Sequence, residues 1–235
     1  LYGADFSYNS GNSTYTWSPS TGAFFVNGVL QWTPGANRVF MTLWDGGGTD
    51  TYDLSNYGTI TTIDLRPGEW SKTSLLQLAN LGDGNMARGN VANALLYNGD
   101  TRSLIENAIG GTDNDLIIAN QAVNRLTGNT GQDQFRWYSV TDSPLGAADT
   151  ITDHSGDIIN LVGIDAIEAT PGDDAFTLIH SNPFSGAAGE LRLEANGNVL
   201  NIFGDVDGDM IADLHIIVQS NDGEPPWIPD SLFML

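Results

Sequence analysis

A nine-residue period in the middle of the chain constrains the fold more than any other feature. Gly110-Gly-Thr-Asp-Asn-Asp-Leu-Ile-Ile118, Ala119-Asn-Gln-Ala-Val-Asn-Arg-Leu-Thr127 and Gly128-Asn-Thr-Gly-Gln-Asp-Gln-Phe-Arg136 follow one another without a gap. This is the period of a parallel β-roll, in which six residues form a turn and three form a short strand with one apolar side chain inward. Leu116, Leu126 and Phe135 are expected at the inward position. Glycine lets the turn bend so that its carbonyls converge, and aspartate adds a charged oxygen. Converging oxygens suit the hard ion Ca²⁺, which takes six to eight of them. One Gly-Gly-x-x-Asn-Asp string would read as a plain turn, whereas copies in phase favour the roll.

Stacking in such a roll sets the first repeat over the third. An ion is then expected between Gly111, Asp113 and Asp115 on one side and Gly128, Thr130 and Asp133 on the other. The middle repeat faces the opposite edge and carries Ala119 and Asn124 where glycine and aspartate are expected. A site completed there by Trp137, Ser139 and Asp142 has less negative charge.

Charge supports a cation-dependent fold. Asp plus Glu number 29 against 8 Lys plus Arg, a formal net charge of −21 that argues against nucleic-acid or anionic-membrane partners. With six Trp and nine Phe the chain is not composed like a disordered tail, so it needs counter-ions to become compact. It has no cysteine, which removes disulfides and thiolate metal sites. No apolar run approaches a membrane span, so no membrane insertion is expected. Leu1 to Asp5 lack the basic start and apolar core of a secretory signal, so any export address is expected elsewhere.

Strand-like runs separated by turn residues occupy both flanks: Ser13 to Trp17, Ala23 to Val26, Arg38 to Leu43 and Thr59 to Leu65 before the repeats. Asp157 to Val162, Ala175 to Ile179, Glu190 to Leu193, Val199 to Phe203 and Leu214 to Val218 follow them. The best helical signal is Ser74 to Leu81, where Leu75, Leu76, Leu78 and Leu81 would share a face. Residues 82 to 100 read as an irregular surface connection. The expected fold is all-β, a short roll flanked by β-sandwich or jelly-roll-like strands with few short helices. Its regions are 1–109 (N-terminal β region), 110–142 (roll) and 143–235 (C-terminal β sandwich with a secretion signal).

Longer strings carry a resemblance. Leu1-Tyr-Gly-Ala4, Leu43-Trp-Asp-Gly-Gly-Gly-Thr-Asp-Thr-Tyr-Asp53, Ile63-Asp-Leu-Arg-Pro-Gly-Glu-Trp-Ser71 and Leu104-Ile-Glu-Asn-Ala-Ile-Gly-Gly111 resemble the RTX-type, calcium-binding C-terminal domain of the serralysin family of secreted zinc metalloproteases. The likeness implies several structural Ca²⁺ ions and a separate catalytic domain, which alone would hold Zn²⁺. It implies that Asn9, Gly11 and Ser13 meet Asp45, Gly47 and Asp50 around one Ca²⁺. A neighbouring ion would be shared by Gly48, Asp50, the carbonyl of Leu104 and the carboxylate of Glu106. The lesser alternative for Asp45 and Asp50 is turn-capping. Two departures imply fewer ions than in relatives: only about three repeats are recognisable, and Asp113 stands where the family has a glycine.

Asp205-Val-Asp-Gly-Asp-Met-Ile-Ala-Asp213 places Asp205, Asp207, Asp209 and Asp213 at positions one, three, five and nine. That pattern approximates a Ca²⁺ loop, or a polar turn with solvated acids. No His-Glu-x-x-His helix, nucleophile elbow, P-loop or cysteine nucleophile is present, so the chain by itself is expected not to be an enzyme. The ending Asp230-Ser-Leu-Phe-Met-Leu235 is similar to the family's signal for a type I exporter, or is a docking final strand. Gly223-Glu-Pro-Pro-Trp-Ile-Pro229 before it is unusual.

These readings give a non-catalytic, secreted, extracellular module that folds on calcium and supports an attached protease. Its partners would be the catalytic domain, covalent or docked, and the exporter. The alternative is a stand-alone or cleaved module that binds a polymer, a cell surface or a protein through Tyr8, Trp17, Trp32 and Trp70, or a separate catalytic chain through the apolar strands near Leu1.

Overall fold

The computed structural model describes residues 3–220 and 226–235. Leu1 and Tyr2, and residues 223–225 of the proline-rich insert, lie outside the described residues. The fold is all-β: every helix among the described residues is a three-residue 3-10 turn. No described helix is long and apolar enough to cross a membrane. The chain divides into two compact units, one running to Ile118 and including Asn129–Gly131, the other comprising Ala119–Gly128 and Gln132–Leu235.

In the first unit, Thr14–Trp17, Thr51–Asp53 and Asn107–Ile109 stack as parallel rungs, and Thr62–Asp64 pairs in parallel with Leu116–Ile118. The hairpin Phe24–Val26 and Val29–Trp32 extends the first sheet antiparallel. Tyr15, Trp17, Phe24 and Tyr52 form its aromatic core, with ring centroids 5.2–6.1 Å apart. Trp17 is therefore buried and offers no surface platform, while Trp70 stacks on Phe40. Tyr8 and Trp32 do reach solvent.

In the second unit, Arg125–Thr127 runs parallel to Asp149–Ile151, and Gln134–Arg136 runs parallel to Ile158–Asn160. Three longer strands, Glu190–Asn196, Val199–Asp205 and Leu214–Gln219, form an antiparallel meander that joins Asp149–Ile151. Leu191, Ile202, Leu214, Ile216 and Val218 form its core by alternation along the strands. The final strand Phe233–Met234 pairs with Ile158–Asn160, so the terminal apolar residues do dock.

Three expectations are corrected. The inward residue of the first repeat is Ile117, fully buried, and Leu116 is half-exposed. In Asn107–Ile109, Leu116–Ile118, Arg125–Thr127 and Gln134–Arg136 the middle residue points inward, so Ala108, Ile117, Leu126 and Phe135 recur at nine-residue spacing, all fully buried. The Ser74 to Leu81 helix is only a 3-10 turn over Leu75–Gln77, capped by Ser74. Leu75 and Leu76 are exposed, and Asn80–Gly82 pairs instead with Asn85–Met86. The turn is held by Gln77, whose side-chain amide reaches Ser18 O at 2.8 Å and Asn37 Oδ1 at 2.7 Å; a longer helix would sacrifice these bonds. Val91–Asn93, inside the stretch read as irregular, is a buried strand between Met41–Leu43 and Trp70–Ser71.

Candidate metal centres

The first centre is assembled by backbone approach. At Gly46 a Cβ would lie 2.4 Å from Tyr8 O, and at Gly48 (φ +144°) it would lie 2.7 Å from the Gly11 carbonyl carbon. Only glycine lets the 46–48 turn rest on the turn of residues 6–12. Thr14–Trp17 beside Thr51–Asp53 then fixes Ser13 against Asp50, and Ser13 N–H donates to Asp50 Oδ1 at 2.7 Å. The Gly11 carbonyl accepts from Ser13 Oγ at 3.1 Å. Asn9 donates to Tyr15 Oη at 3.1 Å, and Tyr15 Oη in turn donates a short hydrogen bond to Asp45 Oδ2. Gly47 N–H donates to the other oxygen of Asp45 at 2.6 Å.

Asp50 sits at the meeting point of the two expected sets. Its N–H donates to Glu106 Oε2 at 2.7 Å, which brings Glu106 and the neighbouring buried Leu104 to the same place. Its side chain is fully buried, and Oδ2 accepts no hydrogen bond. Burial, with the nearby charges of Asp45 and Glu106, pushes the Asp50 carboxyl up to about 8. Burial also raises Asp45 and Glu106. Three carboxylates here share one desolvated space with too few donors, an arrangement that a hard cation relieves and that protein groups leave strained. The donor set, carboxylate and carbonyl oxygens without nitrogen or sulfur, fits Ca²⁺.

The roll turn of the first unit is built the same way. Asp115 receives Gly111 N–H at 2.5 Å and Thr61 N–H at 2.6 Å, and burial raises its carboxyl. At Gly131 (φ +136°) a Cβ would lie 2.7 Å from Asp113 O, so this glycine rests on the backbone of the turn beneath it as Gly48 does. Thr130 Oγ1 donates to Thr112 O at 3.2 Å. Asp113 is half-exposed at the rim. In the second unit Gly128 leaves room for the buried Asp133, whose carboxylate a Cβ would meet at 2.2 Å. Asp153 and Asp157 take the N–H groups of Gly128 and Asp133 at 3.0 and 2.9 Å.

A family model described as Peptidase M10 serralysin C terminal matches residues 4–224. The chain belongs to the serralysin C-terminal domain family. It is 31% identical over 233 residues to Metallopeptidase AprA of Pseudomonas marginalis, covering 91% of this chain and 43% of that protein. It is 31% identical over 227 residues to Serralysin C of Dickeya chrysanthemi, covering 88% and 42%. Serralysin of Proteus mirabilis is 30% identical over 227 residues, covering 83% and 41%. This serralysin C-terminal chain thus spans less than half the length of the relatives it matches.

The middle-repeat edge of this serralysin domain is closed by nitrogen donors. Asn124 Nδ2 donates to Asn120 Oδ1 at 2.9 Å, and Asn124 N–H and the Trp137 indole each donate to the buried Asp149 at 2.7 Å. Burial pushes Asp149 up to about 8. Asp142 closes a capping box, receiving the N–H groups of Tyr138 and Ser139, both at 3.1 Å. Ser139 is the cap of that turn, so both residues are engaged in backbone capping there.

Asp205, Asp207 and Asp209 present carboxylate oxygens within 4.8 Å of one another. Asp205 is buried and takes the N–H groups of Gly208 and Met210 at 2.7 and 3.0 Å. Asp213 stands apart from that trio and receives Val206 N–H at 2.9 Å. Sequence reading missed Asp149, Asp153 and Asp157. Asp157 follows Asp133 by 24 residues, off the nine-residue period, although the apolar run Ile158-Ile159 after it marks the next rung.

Proposed function

We propose that this chain is the non-catalytic, calcium-folded module of a secreted zinc metalloendopeptidase. Asp50 carries the reading: a fully buried carboxylate with one oxygen lacking a donor, beside Asp45 and Glu106. One Ca²⁺ set is Asn9, Gly11, Ser13, Asp45, Gly47 and Asp50, and a second is Gly48, Asp50, Leu104 and Glu106. Gly111, Asp113, Asp115, Gly128, Thr130 and Asp133 are the roll ligands, and Asp205, Asp207 and Asp209 form a weaker loop site. Bound calcium would neutralise converging acids and satisfy the turn carbonyls. This chain's residues supply the oxygen cage, the Tyr15 hydroxyl that orients Asp45, and the glycines that bring the turns together.

Calcium binding only the native state couples folding to its concentration. In a low-calcium cytosol the acidic chain stays open for a type I exporter, and outside the cell calcium closes it beside the catalytic domain, where Zn²⁺ resides. The relatives' names, metallopeptidase and serralysin, support that whole-protein role. Circular dichroism with Ca²⁺ and then EGTA tests it: β structure should form with the first and collapse with the second. A spectrum indifferent to EGTA would overturn it.

A further inference from the structure

We propose that the second unit carries a saccharide-binding groove, with Trp227 as its stacking plate and Asp230 with His180 as its hydroxyl-reading pair. The groove has a volume of about 650 Å³, within the range of small-ligand sites, and runs between the outer face of the meander and the segment ending at Asp230. Leu193 and Leu200 line its floor, and Pro229 borders it.

Three independent features converge there. Trp227 is 81% exposed, the most open large apolar side chain among the described residues. Its neighbours Pro226 and Ile228 are buried, so the backbone is anchored and the indole is held outward rather than left loose. An anchored, solvent-facing indole is a flat apolar plate with a polar edge, suited to the apolar face of a sugar ring.

The second feature is the His180–Asp230 pair. Nε2 and Oδ2 stand 3.7 Å apart, too far for a hydrogen bond, and both side chains are largely exposed. A carboxylate acceptor beside an imidazole that can donate or accept matches adjacent sugar hydroxyls, each of which both gives and takes. The third feature is backbone strain. His180 has φ +54°, at the register shift between Leu178 and His180 against Glu190–Asn196. A non-glycine residue in left-handed geometry at a bulge is a device that re-aims a side chain, and here the re-aimed side chain lines the groove.

Charge selects among sugars. Among the described residues Asp230 is the sole carboxylate on the groove wall and no lysine or arginine lines it, and the chain carries −21 overall. An anionic glycan is repelled, so the ligand class is a neutral, hexose-based oligosaccharide.

Calorimetric titration of the calcium-loaded full chain with cellohexaose and N-acetylchitohexaose, with a polygalacturonate hexamer as the anionic control, tests the proposal. One or both neutral sugars should bind and the anionic one should not. Trp227→Ala should weaken binding about tenfold or more. Asp230→Asn should weaken it severalfold while leaving stacking intact, read as a retained tryptophan fluorescence change. Both substituted side chains are exposed, and an unchanged far-ultraviolet circular dichroism spectrum certifies that the variants fold. No binding of either neutral sugar, equal binding by Trp227→Ala, or preference for the anionic hexamer would each overturn the proposal. So would light scattering that shows the groove occupied by a second copy of the chain. The test is independent of the calcium reading, because it is made on protein already folded.

Discussion

Asp50 donates its own N–H to Glu106 at 2.7 Å while holding one carboxylate oxygen buried and without a donor. The backbone bond holds the half-buried Glu106 beside the fully buried Asp50. Their mutual repulsion is therefore a fixed cost of the metal-free fold.

Asp50→Asn separates that cost from the ligand role. In EGTA the variant should match or exceed the native chain in stability, since a buried charge has gone. In saturating Ca²⁺ it should melt lower by at least ~5–10 °C, since ~2–3 kcal/mol goes with each site lost at about 100 times its Kd and Asp50 belongs to two sets. Calorimetric scans with and without Ca²⁺ should show the two orders of stability reversed.

The pH dependence of the metal-free chain follows from Asp50 and Asp149. Both titrate near 8 in the fold against an ordinary value of 3.8. A raised native pKa gives stability that is full below about pH 4 and declines as pH rises through 8. The EGTA-treated chain should thus melt higher at pH 5 than at pH 8. Calcium should reverse this trend, because it binds the ionised acids. Melting curves at the two pH values, with and without Ca²⁺, check both signs.

Gly46→Ala should disrupt the first centre, because a methyl 2.4 Å from Tyr8 O must push two turns apart. A loss of ~3 kcal/mol or more and a reduced calcium count are expected. Gly35→Ala, which meets nothing within 4 Å, is the control and should change stability by less than ~1 kcal/mol. Urea unfolding and equilibrium dialysis read the two effects.

Ile117→Ala should cost ~2–4 kcal/mol in urea unfolding, and Leu116→Ala clearly less. Equal losses would contradict the inward register.

The roll was legible in the sequence because its period ties burial and turn chemistry to one spacing, and Leu126 and Phe135 fell where that spacing put them. Leu116 was misread because Leu116-Ile117-Ile118 is apolar throughout, so composition alone could not say which side chain entered. The Ser74 to Leu81 helix failed for a different reason. Its leucines have helical spacing, but Gln77 is claimed by long-range bonds to Ser18 and Asn37 that no local pattern reveals. Asp45, Asp50 and Glu106 were nameable from the family's motifs. That Tyr15 orients Asp45 depends on strands brought together from distant parts of the chain.

Ala108, Ile117, Leu126 and Phe135 are all fully buried and follow one another at nine residues. A scaffold with such a pitch tolerates change in quanta. A full turn is two repeats, because strands nine residues apart belong to different sheets, so inserting or deleting eighteen residues keeps every later strand in its own sheet, whereas nine would send each following strand to the opposite one. Length variation among such domains is therefore expected to come in pairs of repeats, each able to bring its own share of acidic turn.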